Sequence, residues 1–191
     1  MEILELREEL AEAVAVQDGP TAIRFPKGAV IESVPALRRV DGIDVLHESA
    51  PGADGVLMVC AGAFGELGVA AAQRLVRQGI AVTVVDPRWV LPVPDALVEL
   101  ARWHRLVVTV SDCGRHGGFG SAVAERLRAA ECDVPVRDLA VPQRFLAHGG
   151  RDEVLAEIGL TAQGVARRVT EWSAGLLGTT AEAATPGEQV R

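Results

Sequence analysis

The sequence predicts an α/β protein, a three-layer α/β/α arrangement around a mostly parallel five-stranded sheet. Three observations predict it. Strand-like and helix-like patterns alternate from residue 43 to residue 173, as expected of a mostly parallel sheet with helices on both faces. Hydrophobic residues make up 49% of the 191 positions, enough for one core with extensions. The stretch Arg105–Ser121, RLVVTVSDCGRHGGFGS, reads as strand, polar loop and glycine-rich helix start. In open α/β sheets the carboxyl end of a strand is where ligands or partners are met.

Composition removes several function classes. The net charge of −7 argues against a nucleic-acid groove and against an anionic membrane surface. No apolar run reaches transmembrane length, and Met1-Glu2 does not open a signal peptide. Cys60, Cys113 and Cys132 are far apart and fit neither a disulfide framework nor a zinc pattern, so a reducing cytoplasm is expected. Lys27 is the only lysine among 19 basic residues.

The elements follow in order. Glu2–Val16 has Ile3, Leu6, Leu10 and Val14 at helical spacing. Asp18-Gly19-Pro20 ends that helix, because proline cannot continue it. Thr21–Phe25 reads as a short strand closed by Pro26-Lys27-Gly28, and residues 29–42 read as a linker. Asp44–Glu48 is an edge strand and Val56–Cys60 a core strand. Phe64–Gln78 is a helix with Leu67, Ala70, Ala71 and Leu75 inward and Gly79 past its end. Ile80–Val85 is a strand, and Asp95–Trp103 a helix entered through Pro92 and Pro94. Leu106–Val110 is a β-branched run too short for a helix, and Phe119, Ala122, Val123 and Leu127 fall on one helical face. Val134–Val141 is the last strand, followed by a short helix at Glu153–Ile158. Thr161 caps the final helix, with Leu160 stapling onto Val165. Residues 174–191 are small and polar without periodicity and are expected to be a disordered tail.

The candidate chemistry is sparse. Gly118-Phe119-Gly120 has Val123 where a third glycine would complete a phosphate-cradling fingerprint, and Gly62, Gly65 and Gly68 fail it too. Gly117, Gly118 and Gly120 instead allow close backbone approach, within the chain or to a partner. Asp112, Cys113 and His116 resemble a nucleophile set, but three residues crowded into one loop seldom have the required geometry. Asp86-Pro87-Arg88-Trp89 follows a strand and reads either as a ligand holder or as a structural turn with an Asp–Arg pair. Arg24-Phe25-Pro26-Lys27-Gly28 puts two cations at a rigid strand end, suited to a phosphate oxyanion or simply solvated.

Four stretches, DGPTAIRFPKG (18–28), VVDPRWVLPV (84–93), VVTVSDCGRHGGFGSAV (107–123) and IGLT (158–161), resemble the carboxyl-terminal part of 1-deoxy-D-xylulose-5-phosphate synthases. These are thiamine-diphosphate enzymes of the transketolase superfamily. Order and spacing agree over about residues 4–173. The resemblance implies that residues 1–28 end a pyrimidine-binding domain and that 43–173 form a transketolase carboxyl-terminal domain, its sheet carrying one antiparallel edge strand. It implies a substrate-phosphate role for Lys27, with Arg24 as the motif's other cation. It also places Asp112, Gly117, Gly118, Phe119 and Gly120 in a loop near a dimer contact. Ser111-Asp112 departs from the family's usual acidic pair. The family's thiamine diphosphate and magnesium are held by a Gly-Asp-Gly motif in another domain, and its catalytic glutamate lies in a part of the pyrimidine-binding domain not included here. The expected function is therefore part of an enzyme that joins pyruvate to glyceraldehyde 3-phosphate for isoprenoid and thiamine precursors. No catalytic or metal residue is expected in this chain. It would be inactive alone, a weak homodimer or the companion of a chain carrying the thiamine sites. The alternative is a non-catalytic domain that binds a protein or small anion.

Overall fold

The computed structural model describes residues 3–25, 34–49 and 55–182. Six strands form one sheet. They are β1 (Arg38–Val40), β2 (Ile43–Glu48), β3 (Val56–Cys60), β4 (Val82–Pro87), β5 (Leu106–Gly114) and β6 (Val136–Val141), in the order β1-β2-β4-β3-β5-β6. β4, β3, β5 and β6 run parallel, while β2 pairs antiparallel with both β1 and β4. The helices are α1 (Ile3–Ala15), α2 (Gly65–Val76), α3 (Asp95–Arg102), α4 (Phe119–Ala129), α5 (Arg151–Glu157) and α6 (Ala162–Glu182).

The period of two in β3 builds the three layers. Val56, Met58 and Cys60 face one apolar core with Leu75 of α2 and Val165 and Val169 of α6. Leu57 and Val59 face the other, with Leu97 and Val98 of α3 and Phe119, Val123 and Leu127 of α4. All five β3 residues are buried, as expected for a parallel strand covered on both sides. α6 starts as read: Thr161 Oγ1 accepts the Gly164 N–H at 3.1 Å, and both Leu160 and Val165 are buried.

Four expectations need correction. Part of the presumed linker, Arg38–Val40, is a strand, because Asp41 (φ 44°) and Gly42 (φ 79°) make a tight hairpin back from β2. That sixth strand covers β2, which is therefore not the edge; β1 runs in the direction of the parallel strands, so β2 alone runs against the others. Thr21–Phe25 is not a strand, since no strand among the described residues lies beside it to supply ladder bonds. The presumed tail is helical to Glu182, and residues 183–191 lie outside the described residues.

Candidate functional site

The loops that leave β3, β4 and β5 open at one end of the sheet. β3 is followed in sequence by its neighbour on one side, β4, and then by its neighbour on the other, β5. Such a reversal leaves a crevice at the strands' carboxyl ends. Here it is a cavity of about 760 Å³, with a floor made by Ala61–Phe64, Asp86–Leu91 and Ser111–Cys113. Arg151 lies at its rim, with its guanidinium 5.4 Å from the Phe64 ring centroid. Gly62 sits at φ 56°, a left-handed turn that points its N–H at Asp86 Oδ1, 3.0 Å away.

Two ionic groups dominate the walls. Asp112 receives Arg24 Nη1 at 2.8 Å and Arg151 Nη2 at 3.4 Å. Arg88, which the sequence offered as half of an Asp–Arg turn, reaches across to Glu8 and Glu12 of α1. Arg39 adds a bond to Glu8 at 3.1 Å while holding Asp44 at 2.6 Å, and Trp89 Nε1 donates to Glu12 at 3.1 Å. The Arg88 and Arg39 hydrogen bonds hold the Glu8 carboxyl below its ordinary range. Burial works against the charge on Arg88, but its bonds to Glu12 and Glu8 win and its pKa is raised. The Arg88 pairings were invisible to motif reasoning because the partners are 76 and 80 residues apart.

The predicted site residues separate. Arg24, Asp112 and Cys113 line the cavity together, with Arg24 Nη1 3.8 Å from Cys113 Sγ. His116 is exposed and does not line the cavity, so the Asp112, Cys113 and His116 set is not assembled there. Lys27 lies outside the described residues.

The glycine loop is used inside the chain. Gly118 precedes α4, and a Cβ there would strike the Gly114 carbonyl oxygen. A Cβ on Gly120 would strike the Asp138 carboxyl and Thr109 Oγ1. Phe119, expected either to enter the core or to meet a partner, is 3% exposed and belongs to the core. Gly117 takes φ 70° with open space around it. A charged side chain at Gly118 would therefore disturb the fold before it reported on any interface. Just below the loop, Thr109 Oγ1 donates to Asp138 Oδ1 at 2.7 Å, while Asp138 Oδ2 is buried without a partner. Burial pushes the Asp138 pKa up, against the Thr109 bond.

Residues 46–165 match the transketolase C-terminal domain. The chain belongs to that family. It is 64% identical over 175 residues to a 1-deoxy-D-xylulose-5-phosphate synthase of Saccharopolyspora erythraea, and 62% over 172 residues to that of Mycolicibacterium gilvum. Each match covers 90% of this chain and 27% of the relative, so the chain spans about a quarter of the length of these enzymes. Among solved structures it is similar to one described as a split gene transketolase, an inactive beta4 tetramer, with a TM-score of 0.73 and 30% identity. That match covers 87% of this chain and 54% of the other. The resemblance in the sequence thus led to the right family, and the mostly parallel α/β sheet agrees with it.

The enzymes of this family use thiamine diphosphate and magnesium. Among the described residues no group of three or more His, Cys, Asp or Glu is placed to hold a metal ion. Nor, among the described residues, is any helix long and apolar enough to cross a membrane.

Proposed function

We propose that this chain is the carboxyl-terminal portion of a 1-deoxy-D-xylulose-5-phosphate synthase-like transferase, which works only with a partner carrying the thiamine sites. The observation that carries the reading is 64% identity across 90% of this chain to an enzyme of which it spans only 27%. In this reading the remaining length of such an enzyme, with the cofactor that supplies its carbanion chemistry, is the partner's contribution. The solved relative described as both split-gene and inactive supports a separate chain of this architecture that does not act by itself. In the complete enzyme pyruvate and glyceraldehyde 3-phosphate are joined with loss of carbon dioxide.

Within that assembly Arg24 and Lys27 contribute cations to the glyceraldehyde-phosphate site. Arg24 stands at the cavity wall, braced by Asp112, three residues from Lys27 in the sequence. In cells producing it naturally, the tagged chain should bring down a protein resembling the remainder of the synthase. The mixture should then form deoxyxylulose phosphate, which neither component forms alone. Product made by the purified chain by itself would overturn the proposal, and recovery of the chain without such a partner would favour a non-catalytic binding domain. In the active mixture, Lys27→Ala should raise the KM for glyceraldehyde 3-phosphate far more than that for pyruvate, by the equivalent of about 1.5–3 kcal/mol for one lost charge-assisted contact. Equal effects on both substrates would refute the phosphate role.

A further inference from the structure

β5 pairs with β6 in register from Val107 to Val110 and again at Gly114, and the residues between leave the ladder. Ser111 stays inside, 1% exposed, and its hydroxyl accepts the Cys113 N–H at 3.4 Å. Gly114 and Arg115 rejoin β6 at Val141. The irregularity therefore turns Asp112 out to the cavity while the chain on either side of it stays anchored.

Asp112 meets one cation on each oxygen. Oδ1 accepts from Arg24 Nη1 at 2.8 Å, and Oδ2 accepts from Arg151 Nη2 at 3.4 Å. Arg151 is itself seated, its guanidinium 5.4 Å from the ring centroid of Phe64, a core residue. A single ion pair with this much solvent contact would hold little. Here the carboxylate is gripped from two sides, so it offers Arg24 a fixed acceptor.

Arg24 depends on that acceptor. Its side chain is 69% exposed, and Thr21–Phe25 makes no strand pairing among the described residues. Among the described residues its polar contacts are Asp112 Oδ1 and Cys113 Sγ, both at the end of β5. A guanidinium carries five N–H donors, so Arg24 can be held by Asp112 and still donate to a phosphate. Lys27 follows three residues later, and a tie at Arg24 limits the slack of the chain leading to it.

We propose that Asp112 is a positioning residue for the substrate phosphate: with Arg151 on its other oxygen, it fixes the Arg24 guanidinium at the cavity wall, so that glyceraldehyde 3-phosphate meets a cation already in place. Asp112 does not touch the substrate and acts through Arg24. The inference rests on the phosphate role of Arg24 and Lys27 proposed above.

Two measurements test it. In the full chain alone, NMR relaxation of the Arg24 Nε–Hε group reads the tie. It should be as ordered as the backbone around it in the wild type and mobile in Asp112→Asn, which keeps the side chain's shape and removes its charge. In the active mixture, Asp112→Asn should raise the KM for glyceraldehyde 3-phosphate about fivefold, the upper range for a solvent-contacting ion pair. The KM for pyruvate and kcat should not change, Asp112→Glu should restore most of the loss, and Arg151→Ala should give a smaller rise in the same KM. Added to Arg24→Gln, Asp112→Asn should change nothing further, because it acts through that residue. An Arg24 side chain equally ordered with and without the Asp112 carboxylate would overturn the tie. Equal rises in both KM values, or a rise that adds to that of Arg24→Gln, would overturn the positioning role and leave the assembly standing. A wild-type mixture that forms no product would remove the assembly itself, and the phosphate role with it.

Discussion

The α/β body and the amino-terminal arm are attached to the same sheet by opposite means. The body buries complete side chains on both faces of β3, and its stability comes from apolar area removed from water. The arm, residues 3–25, lies across the carboxyl ends of the strands through half-exposed carboxylates that meet the half-exposed Arg39 and the largely buried Arg88. Apolar packing is insensitive to salt, and ion pairs at a wet surface are not. The difference shows that proximity to a cavity does not make a segment part of the fold that supports it. A segment can be positioned with little energy and remain free to move.

The comparison is broken most directly by matched truncations. Leu75, fully buried between α2 and the sheet, should lose about 2–5 kcal/mol on Leu75→Ala, read as a lower denaturant midpoint. Leu10→Ala, at an exposed arm position, should stay within about 0.5 kcal/mol. Equal losses would mean that the arm is part of the cooperative core.

Gly120→Ala tests how tightly α4 is seated. The added methyl meets Asp138 and Thr109 Oγ1, and such overpacking should cost about 1–3 kcal/mol in chemical denaturation. A neutral effect would show that β6 yields to the helix.

Thr109→Val keeps the shape but leaves Asp138 Oδ1 without its donor, when Oδ2 already lacks one. It should cost about 1–3 kcal/mol. Because the folded Asp138 pKa is raised, the native state binds its proton more tightly than the unfolded chain, and this site's contribution falls as pH rises through the two values. The Thr109→Val penalty should therefore be larger at neutral pH than under acid conditions that keep the carboxyl protonated.

The smallest effect belongs to the arm. The lowered Glu8 pKa means that its contribution is complete above the ordinary carboxylate range and is lost as pH falls through the folded value. Glu8 is faced by Arg88 and Arg39, with Glu12 and Asp44 sharing those cations. On acidification below the ordinary carboxylate range, NMR order parameters of α1 should fall before those of β3 and β5 change. A simultaneous fall would erase the distinction between arm and body.

How much of this was legible depends on range. The β-branched runs at Val56–Cys60 and Leu106–Val110 can be read because a strand covered on both faces leaves a mark in its own few residues. The β1 hairpin also left a signal, the Asp41-Gly42 pair, but the polar residues and Pro35 around it suggested a linker. The glycine-rich entry to α4 was legible as a demand for close approach, though not as to what approaches, which proved to be Gly114, Asp138 and Thr109 of the same chain. The candidate site divided in the same way: Arg24 and Asp112 were each singled out, but their pairing was not.

By itself the sequence determined the family, the alternation of elements and the helical character of the arm, because each rests on local pattern or on motifs in register. Only the tertiary structure decided the strand order, the burial of Phe119, and the pairing of Glu8 and Glu12 with Arg88. The spacing of Leu6, Leu10 and Val14 specifies that α1 has an apolar stripe. It does not specify which way the stripe turns. In the structure that orientation goes with Arg88, 76 and 80 residues away from its two partners, and long-range charge pairing leaves no periodicity in the chain that carries it.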